Sequence, residues 1–308
     1  MATGPETCIS PAAAMPEERV PSFSGAFLLL TKPGIVLAET AAGFAGMLLA
    51  SRGLTSSATI VFWCLLSLIM AASGAAMANC VLEADTDRKM TRLSDRSLAL
   101  ATTDRTRVMT IAVLLMGGAF LLTGIFLNFL TLLLLAAACS SYLLLYTLWL
   151  KRRSSWGVLA GAIPGALPPL IGAAAVTGRV AALPLLLGMV IFIWQLPHFW
   201  FLALQYSDQY RQAGIPVLPL TSGIQLTKKL TLLSSAALLP ATLLLSQLGS
   251  FSPGFISAIM CAGILFPLLC HRFLYRTAEY RKGFVVSLAY LAAIFMAIIT
   301  DLILGKST

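Results

Sequence analysis

The chain has 308 residues, of which 58% are hydrophobic and only 11% charged. A soluble domain carries roughly 25% charged residues, so the composition excludes an ordinary soluble fold and predicts an integral membrane protein. The net charge of +9 is dispersed between apolar segments, leaving no continuous basic face for a nucleic acid; it reads as membrane topology.

In chain order, the first element is a polar tail. Residues 1–24 set Glu6, Glu17 and Glu18 against a lone Arg19, with no early apolar run before a cleavage site. An Arg-rich transit peptide or a secretory signal looks different, so a short disordered tail on a bacterial-type protein is expected. A spanning helix needs about 20 mainly apolar residues. Nine segments qualify: roughly 25–50, 58–79, 108–127, 129–149, 157–177, 180–204, 229–248, 252–271 and 284–304. They define one membrane domain over 25–304, with a short tail at 305–308. The third and fourth are separated by almost nothing around Asn128, which predicts a tight helical hairpin. Cys8, Cys64, Cys80, Cys139, Cys261 and Cys270 form no CxxC pair, so they read as small core residues, with no disulfide or zinc site expected.

The connections alternate in charge. One set holds Arg88, Lys89, Arg92, Arg96, Arg105 and Arg107, then Lys151, Arg152 and Arg153, then Arg211, Lys228 and Lys229, then Arg272, Arg276, Arg281 and Lys282. Arg19 and Lys32 lie at the same side, whereas the other side has Arg52, Arg179 and Lys306. Basic residues stay cytoplasmic, so a multi-pass protein of a bacterial inner membrane is expected, with its N-terminus inside and its C-terminus periplasmic or extracellular. The long cytoplasmic connections, 80–107 and 205–228, are the expected place for function, because long loops in compact proteins are more often functional than accidental.

The first of these begins "NCVLEADTD" (79–87), directly after an apolar span. If the second helix continues past Ala78, Asn79, Glu83 and Asp87 fall at i, i+4 and i+8 and share a face, drifting by about 80°. Asp85 points the other way. An amide and two carboxylates, with Arg88, Lys89, Arg92 and Arg96 just beyond, suit a metal-bridged polyphosphate: Mg²⁺ prefers oxygen ligands and takes one or two carboxylates plus substrate phosphates, while Lys or Arg neutralises the remaining charge. The competing reading is a solvated loop whose acids pair with its own bases. The start of the pattern inside the membrane boundary, where polar groups are costly, favours function.

The fifth segment, "WGVLAGAIPGALPPLIG", places Gly157, Gly161 and Gly165 at four-residue spacing and carries Pro164, Pro168 and Pro169. Small residues at that spacing permit close helix packing, and the prolines break the helix; packing alone and a broken helix lining a cavity both remain open. The second long connection, "WQLPHFWFLALQYSDQYRQAGIPVLP", supplies His198, Tyr206, Asp208, Tyr210 and Arg211. His198 reads as a satisfied interfacial histidine, a haem ligand or a substrate hydrogen bond. The surrounding Trp194, Phe199 and Trp200 fit a membrane-interface belt.

The stretches "ASGAAMANCVLEADTDRKMTR", "YTLWLKRRSSWGVLAGAIPGALPPLIG", "WQLPHFWFLALQYSDQYRQAGIPVLP" and "VVSLAYLAAIFMAIITD" closely resemble the protohaem IX farnesyltransferase branch of the UbiA superfamily of intramembrane prenyltransferases. The likeness runs from "LLLTKPGIVL" to Asp301. The asparagine–aspartate pattern marks the superfamily, and "WQLPHFW" and "YRQAGIPVLP" mark the haem branch. The resemblance implies an all-α, UbiA-type bundle of nine transmembrane helices around a central cavity. It implies transfer of farnesyl from farnesyl diphosphate to a vinyl group of haem b, with water adding to give haem o and diphosphate. It implies Mg²⁺ as cofactor, haem b being a substrate.

By the same likeness Asn79, Glu83, Asp87 and Asp208 carry the catalytic metal, with Asp85 beside them. Arg92, Arg96, Lys151, Arg152, Tyr146, His198, Tyr210 and Arg211 would contact substrate. The surrounding lipid and a haem A synthase or terminal-oxidase assembly are the implied partners. Glu83 stands where the family usually has Asp, Ser207 and Gly157 where Lys and Asn are usual, and Ser97 where Pro is usual. These departures touch affinity more than reaction class. The rival readings are a UbiA-type enzyme for another acceptor (an aromatic acid, a quinone precursor or a chlorophyll-type ring) and a transporter. The clustering of acids at one membrane face disfavours a transporter, whose ionisable groups lie at the midplane.

Overall fold

The computed structural model describes residues 23–53 and 57–304 and is all-helical in its regular structure. The two expected tails lie outside the described residues apart from Phe23 and Ser24, which open a helix. Nine helices among the described residues are long and apolar enough to cross a membrane: α1 (Pro33–Ser51), α2 (Ala58–Leu82), α3 (Arg105–Phe126), α4 (Phe129–Arg152), α5 (Gly157–Thr177), α6 (Ala182–Gln205), α7 (Ile224–Leu248), α8 (Pro253–Arg276) and α9 (Tyr280–Ile303). Each overlaps an apolar segment of the sequence, and the first begins at Pro33 rather than near residue 25. The protein is therefore a multi-pass membrane protein.

The helices close into one bundle. α2 packs on α3, α1 on the second half of α5, α6 on α7 and α9, and α9 returns to α1. A window of α5 is 67% buried, against 17% in α4, so the Gly- and Pro-rich helix is the central one. Close approach explains its glycines: a Cβ on Gly172 would overlap the Gly43 carbonyl, and one on Gly161 would press on the Tyr146 ring at 3.0 Å. α5 is interrupted at Leu167, before Pro168 and Pro169, as a missing N–H and ring clash require. Outward-facing Leu37, Phe62, Leu114, Phe129, Met189 and Leu268 stay exposed, a surface that only lipid covers at no cost.

The third and fourth spans form the expected hairpin. Asn128 accepts from the Thr131 N–H at 3.0 Å, capping α4, and donates to the Ala174 carbonyl at 2.7 Å. The second half of α4, Ser141–Trp149, is a π-helix, which a 3.6-residue period does not foresee. The first apolar segment is also not one helix. Phe23–Thr31 ends before Lys32, whose left-handed backbone (φ 54°, ψ 64°) turns the chain into α1. The residue before a proline is disfavoured in the right-handed helical region, and Pro33 follows. A left-handed non-glycine residue costs about 1–2 kcal/mol, so the contacts of Lys32 must outweigh that.

Candidate active site at one mouth of the bundle

α2 ends at Leu82, and Glu83 interrupts it before a short turn of helix, Ala84–Asp87. The four-residue spacing survives: Glu83 N–H donates to Asn79 O at 3.0 Å and Asp87 N–H to Glu83 O at 2.8 Å. Asn79, Glu83 and Asp87 are all buried, at 2%, 3% and 4% exposure, so the solvated-loop reading fails for these three. Buried polar groups require partners, and each has a cationic one. Lys32 Nζ donates to Asn79 Oδ1 at 2.5 Å, Lys151 Nζ to Glu83 Oε1 at 2.5 Å, and Arg96 Nη2 to Asp87 Oδ2 at 2.6 Å.

Charge follows this pairing. Burial pushes the Glu83 carboxyl up, but the Lys151 ammonium, with Lys32 and Arg96, holds it below its ordinary value. Asp87 is raised: burial and the neighbouring Glu83 outweigh the Arg96 guanidinium. Burial lowers Lys32 to about 8, against the pull of Glu83.

α4 completes the cluster. Tyr142 OH accepts from Lys32 at 3.3 Å, and Thr147 Oγ1 accepts from Asn79 Nδ2 at 3.0 Å. The i→i+5 register of a π-helix lines up residues five apart, so Tyr142 and Thr147 reach the same Lys32–Asn79 pair. Lys151 Nζ lies 5.7 Å above the Tyr146 ring, within cation–π range.

The second long connection folds into two short helices, Ser207–Ala213 and Leu218–Thr221, and is stapled to the first. Gln209 accepts from the Arg92 N–H at 3.2 Å and donates to Thr91 Oγ1 at 2.8 Å; Arg92 Nη2 donates to Tyr210 OH at 3.1 Å. The Arg92 guanidinium also stands over the Tyr206 and Tyr210 rings at 5.3 and 5.4 Å. Burial raises the Tyr210 phenol.

The structure thus brings Asn79, Glu83, Asp87, Arg96, Lys151 and Tyr146 together and ties Arg92 to Tyr210. Other expected residues stand apart. Asp85 faces outward, 82% exposed, and pairs with Arg105 at 2.9 Å. Asp208 is 79% exposed and pairs with Arg211 three residues on at 2.6 Å. Arg152 donates to the Leu82 carbonyl at 3.1 Å, closing the C-terminal end of α2. His198 lies elsewhere, on α6 against α9. Lys32, Tyr142, Thr147 and Gln209 escaped sequence reasoning. A lysine opening an apolar span was the available signal for Lys32; the hydroxyls needed the π register.

Nine spans with lipid-facing sides and a buried, cation-paired oxygen set at one end define a class: an intramembrane protein whose polar chemistry sits at one mouth of a bundle. The family follows from comparison. The UbiA prenyltransferase family model matches residues 40–299, and the chain belongs to that family. Similar relatives include Protoheme IX farnesyltransferase of Geotalea uraniireducens, 41% identical over 83% of this chain and 98% of that one. The protein of that name from Aquifex aeolicus is 39% identical over 90% and 95%. Among solved structures, a digeranylgeranylglyceryl phosphate synthase has a TM-score of 0.75 at 14% identity, over 91% of this chain and 99% of that one. A UbiA homolog from Archaeoglobus fulgidus bound to DMAPP and Mg²⁺ has a TM-score of 0.67 at 14% identity, over 89% and 99%. At those identities the structures show a shared fold.

Proposed function

We propose that this prenyltransferase moves a farnesyl group from farnesyl diphosphate to a vinyl group of protohaem IX, with addition of water, giving haem o and diphosphate. The observation that carries the transfer chemistry is the buried set Asn79, Glu83 and Asp87, each oxygen met by its own cation. The choice of acceptor is supported by the name shared by relatives that align along nearly their whole length.

The donor set fits Mg²⁺. Two carboxylates and an amide oxygen are hard ligands, and an ion that completes its shell with water and phosphates needs no fuller protein cage. Asn79, Glu83 and Asp87 would hold it. Asp85 and Asp208, exposed and paired with Arg105 and Arg211, stand outside this set and would join it only if those pairs opened. Held there, the ion would supply neutralisation of the diphosphate charge.

The chain's own groups do the remaining work. Lys32, Lys151, Arg92 and Arg96 converge on the mouth and offer N–H donors to the departing oxygens, a contribution that grows with the charge they meet. Arg152, at the end of α2, adds positive field from outside, and Arg211 would do so once released from Asp208. The Tyr146, Tyr206 and Tyr210 rings present π faces beside these cations and stabilise the positive charge that develops on the farnesyl carbon. The apolar helix faces behind them shelter that carbon from early capture by water. The one-sided basic bias supports an inner-membrane placement with this mouth cytoplasmic, where a haem A synthase or oxidase-assembly partner would collect the product.

The test supplies haem b, farnesyl diphosphate and Mg²⁺ to purified protein and weighs the haem by mass spectrometry. A farnesylated, hydrated haem is expected. Unmodified haem beside a prenylated quinone precursor in a parallel reaction would overturn the acceptor assignment.

A further inference from the structure

We propose that Ser287 is a positioning residue that holds His198 as its Nδ1–H tautomer, so that the Nε2 lone pair is presented to the haem iron of the acceptor. The inference rests on haem being the acceptor, but the tautomer is measurable without it.

The geometry starts from one hydroxyl. Ser287, on α9, is fully buried. Its Oγ lies 2.6 Å from the Phe284 carbonyl and 2.7 Å from His198 Nδ1. A serine hydroxyl has one proton. The Phe284 carbonyl can only accept, so the hydroxyl proton goes there; otherwise two oxygens would stand 2.6 Å apart with nothing between them. Nδ1 must then be the donor to Oγ. In neutral imidazole, a proton on Nδ1 leaves Nε2 as the acceptor.

The ring is also immobilised. Trp194 stacks on one side at 4.5 Å and 21°, and Phe284 at 4.4 Å and 28°. The carbonyl of the same Ser287 accepts from Trp194 Nε1 at 2.6 Å, so both functions of Ser287 clamp successive turns of α6. Nε2 has no hydrogen-bond partner among the described residues, and His198 is only half-buried. Nε2 is not among the buried unpartnered atoms, so its lone pair is accessible to an incoming ligand. A ring whose one nitrogen is tied and whose other is open is how proteins prepare an imidazole for a metal.

The chain has two histidines, so ¹⁵N-histidine spectra of the full-length protein in lipid are assignable with a His271→Gln control. The expected wild-type signal for His198 is a pyrrole-type Nδ1 and a pyridine-type Nε2. Ser287→Ala should lose that preference, and Ser287→Thr, which keeps the hydroxyl, should restore it. Trp194→Phe, which removes the neighbouring clamp but leaves the hydroxyl, should retain it. An Nε2–H tautomer in wild type, or a signal unmoved by Ser287→Ala, overturns the proposal. Titration with ferric haem b provides the second readout. His198→Ala should abolish the nitrogen-ligated haem spectrum, and Ser287→Ala should weaken binding by about 10- to 100-fold. An unchanged spectrum in His198→Ala overturns the presentation to iron. A protein that shows the tautomer and the spectrum yet makes no farnesylated haem would overturn the proposed reaction instead.

Discussion

Lys151→Met isolates the electrostatic logic of the mouth. The substitution removes the ammonium that Glu83 faces at 2.5 Å while keeping most of the apolar stem. The pair is nearly dry, with the Glu83 side chain 4% exposed and Lys151 18%. Removing one partner of a buried pair costs about 3–5 kcal/mol, because the other charge is left uncompensated. Lys32 and Arg96 still act on Glu83, and Lys151 keeps some water, so the lower end applies, about 3 kcal/mol. In a protein of this size that is a fall in melting temperature on the order of 5 °C. The assay is thermal unfolding in detergent with excess chelator, so that no divalent ion substitutes for the lost ammonium. Adding Glu83→Gln removes the stranded charge, and the double variant should be more stable than Lys151→Met alone. Wild-type stability in Lys151→Met, or costs that simply add in the double variant, would refute the pairing.

Other expectations concern the same mouth and the bundle behind it. Asp87→Asn and Asn79→Ala should abolish prenyl transfer while the protein inserts and purifies normally; activity within about threefold of wild type in both would remove the first connection from the metal site. Excess EDTA should stop turnover and added Mg²⁺ should restore it, whereas full activity in chelator would contradict a divalent-ion requirement. Gly46→Ala should destabilise the bundle by about 1–3 kcal/mol or more, since the new Cβ would overlap the Pro169 backbone where α1 crosses α5; unfolding at the wild-type temperature would show that the crossing yields.

Much of this architecture was legible without coordinates. The nine spans follow from hydropathy because a bilayer leaves the backbone no partner but itself, so helix length and apolarity become a local rule. The Asn79, Glu83, Asp87 face followed from the helical period, and so did the divergence of Asp85, which the family likeness alone would have grouped with them. Lys32 was counted in the sequence only among the basic residues of the cytoplasmic side. Its role needed residues 47 positions apart to meet.

Local rules therefore determined the spans, the charge asymmetry and the candidate oxygens, because each depends on near neighbours and on the solvent they face. Tertiary structure alone decided which cation meets which oxygen, how a π register turns Tyr142 and Thr147 toward one pair, and which nitrogen of His198 is tied. Those outcomes depend on directed hydrogen bonds between distant helices, and a directed bond exists only once both of its ends have been placed.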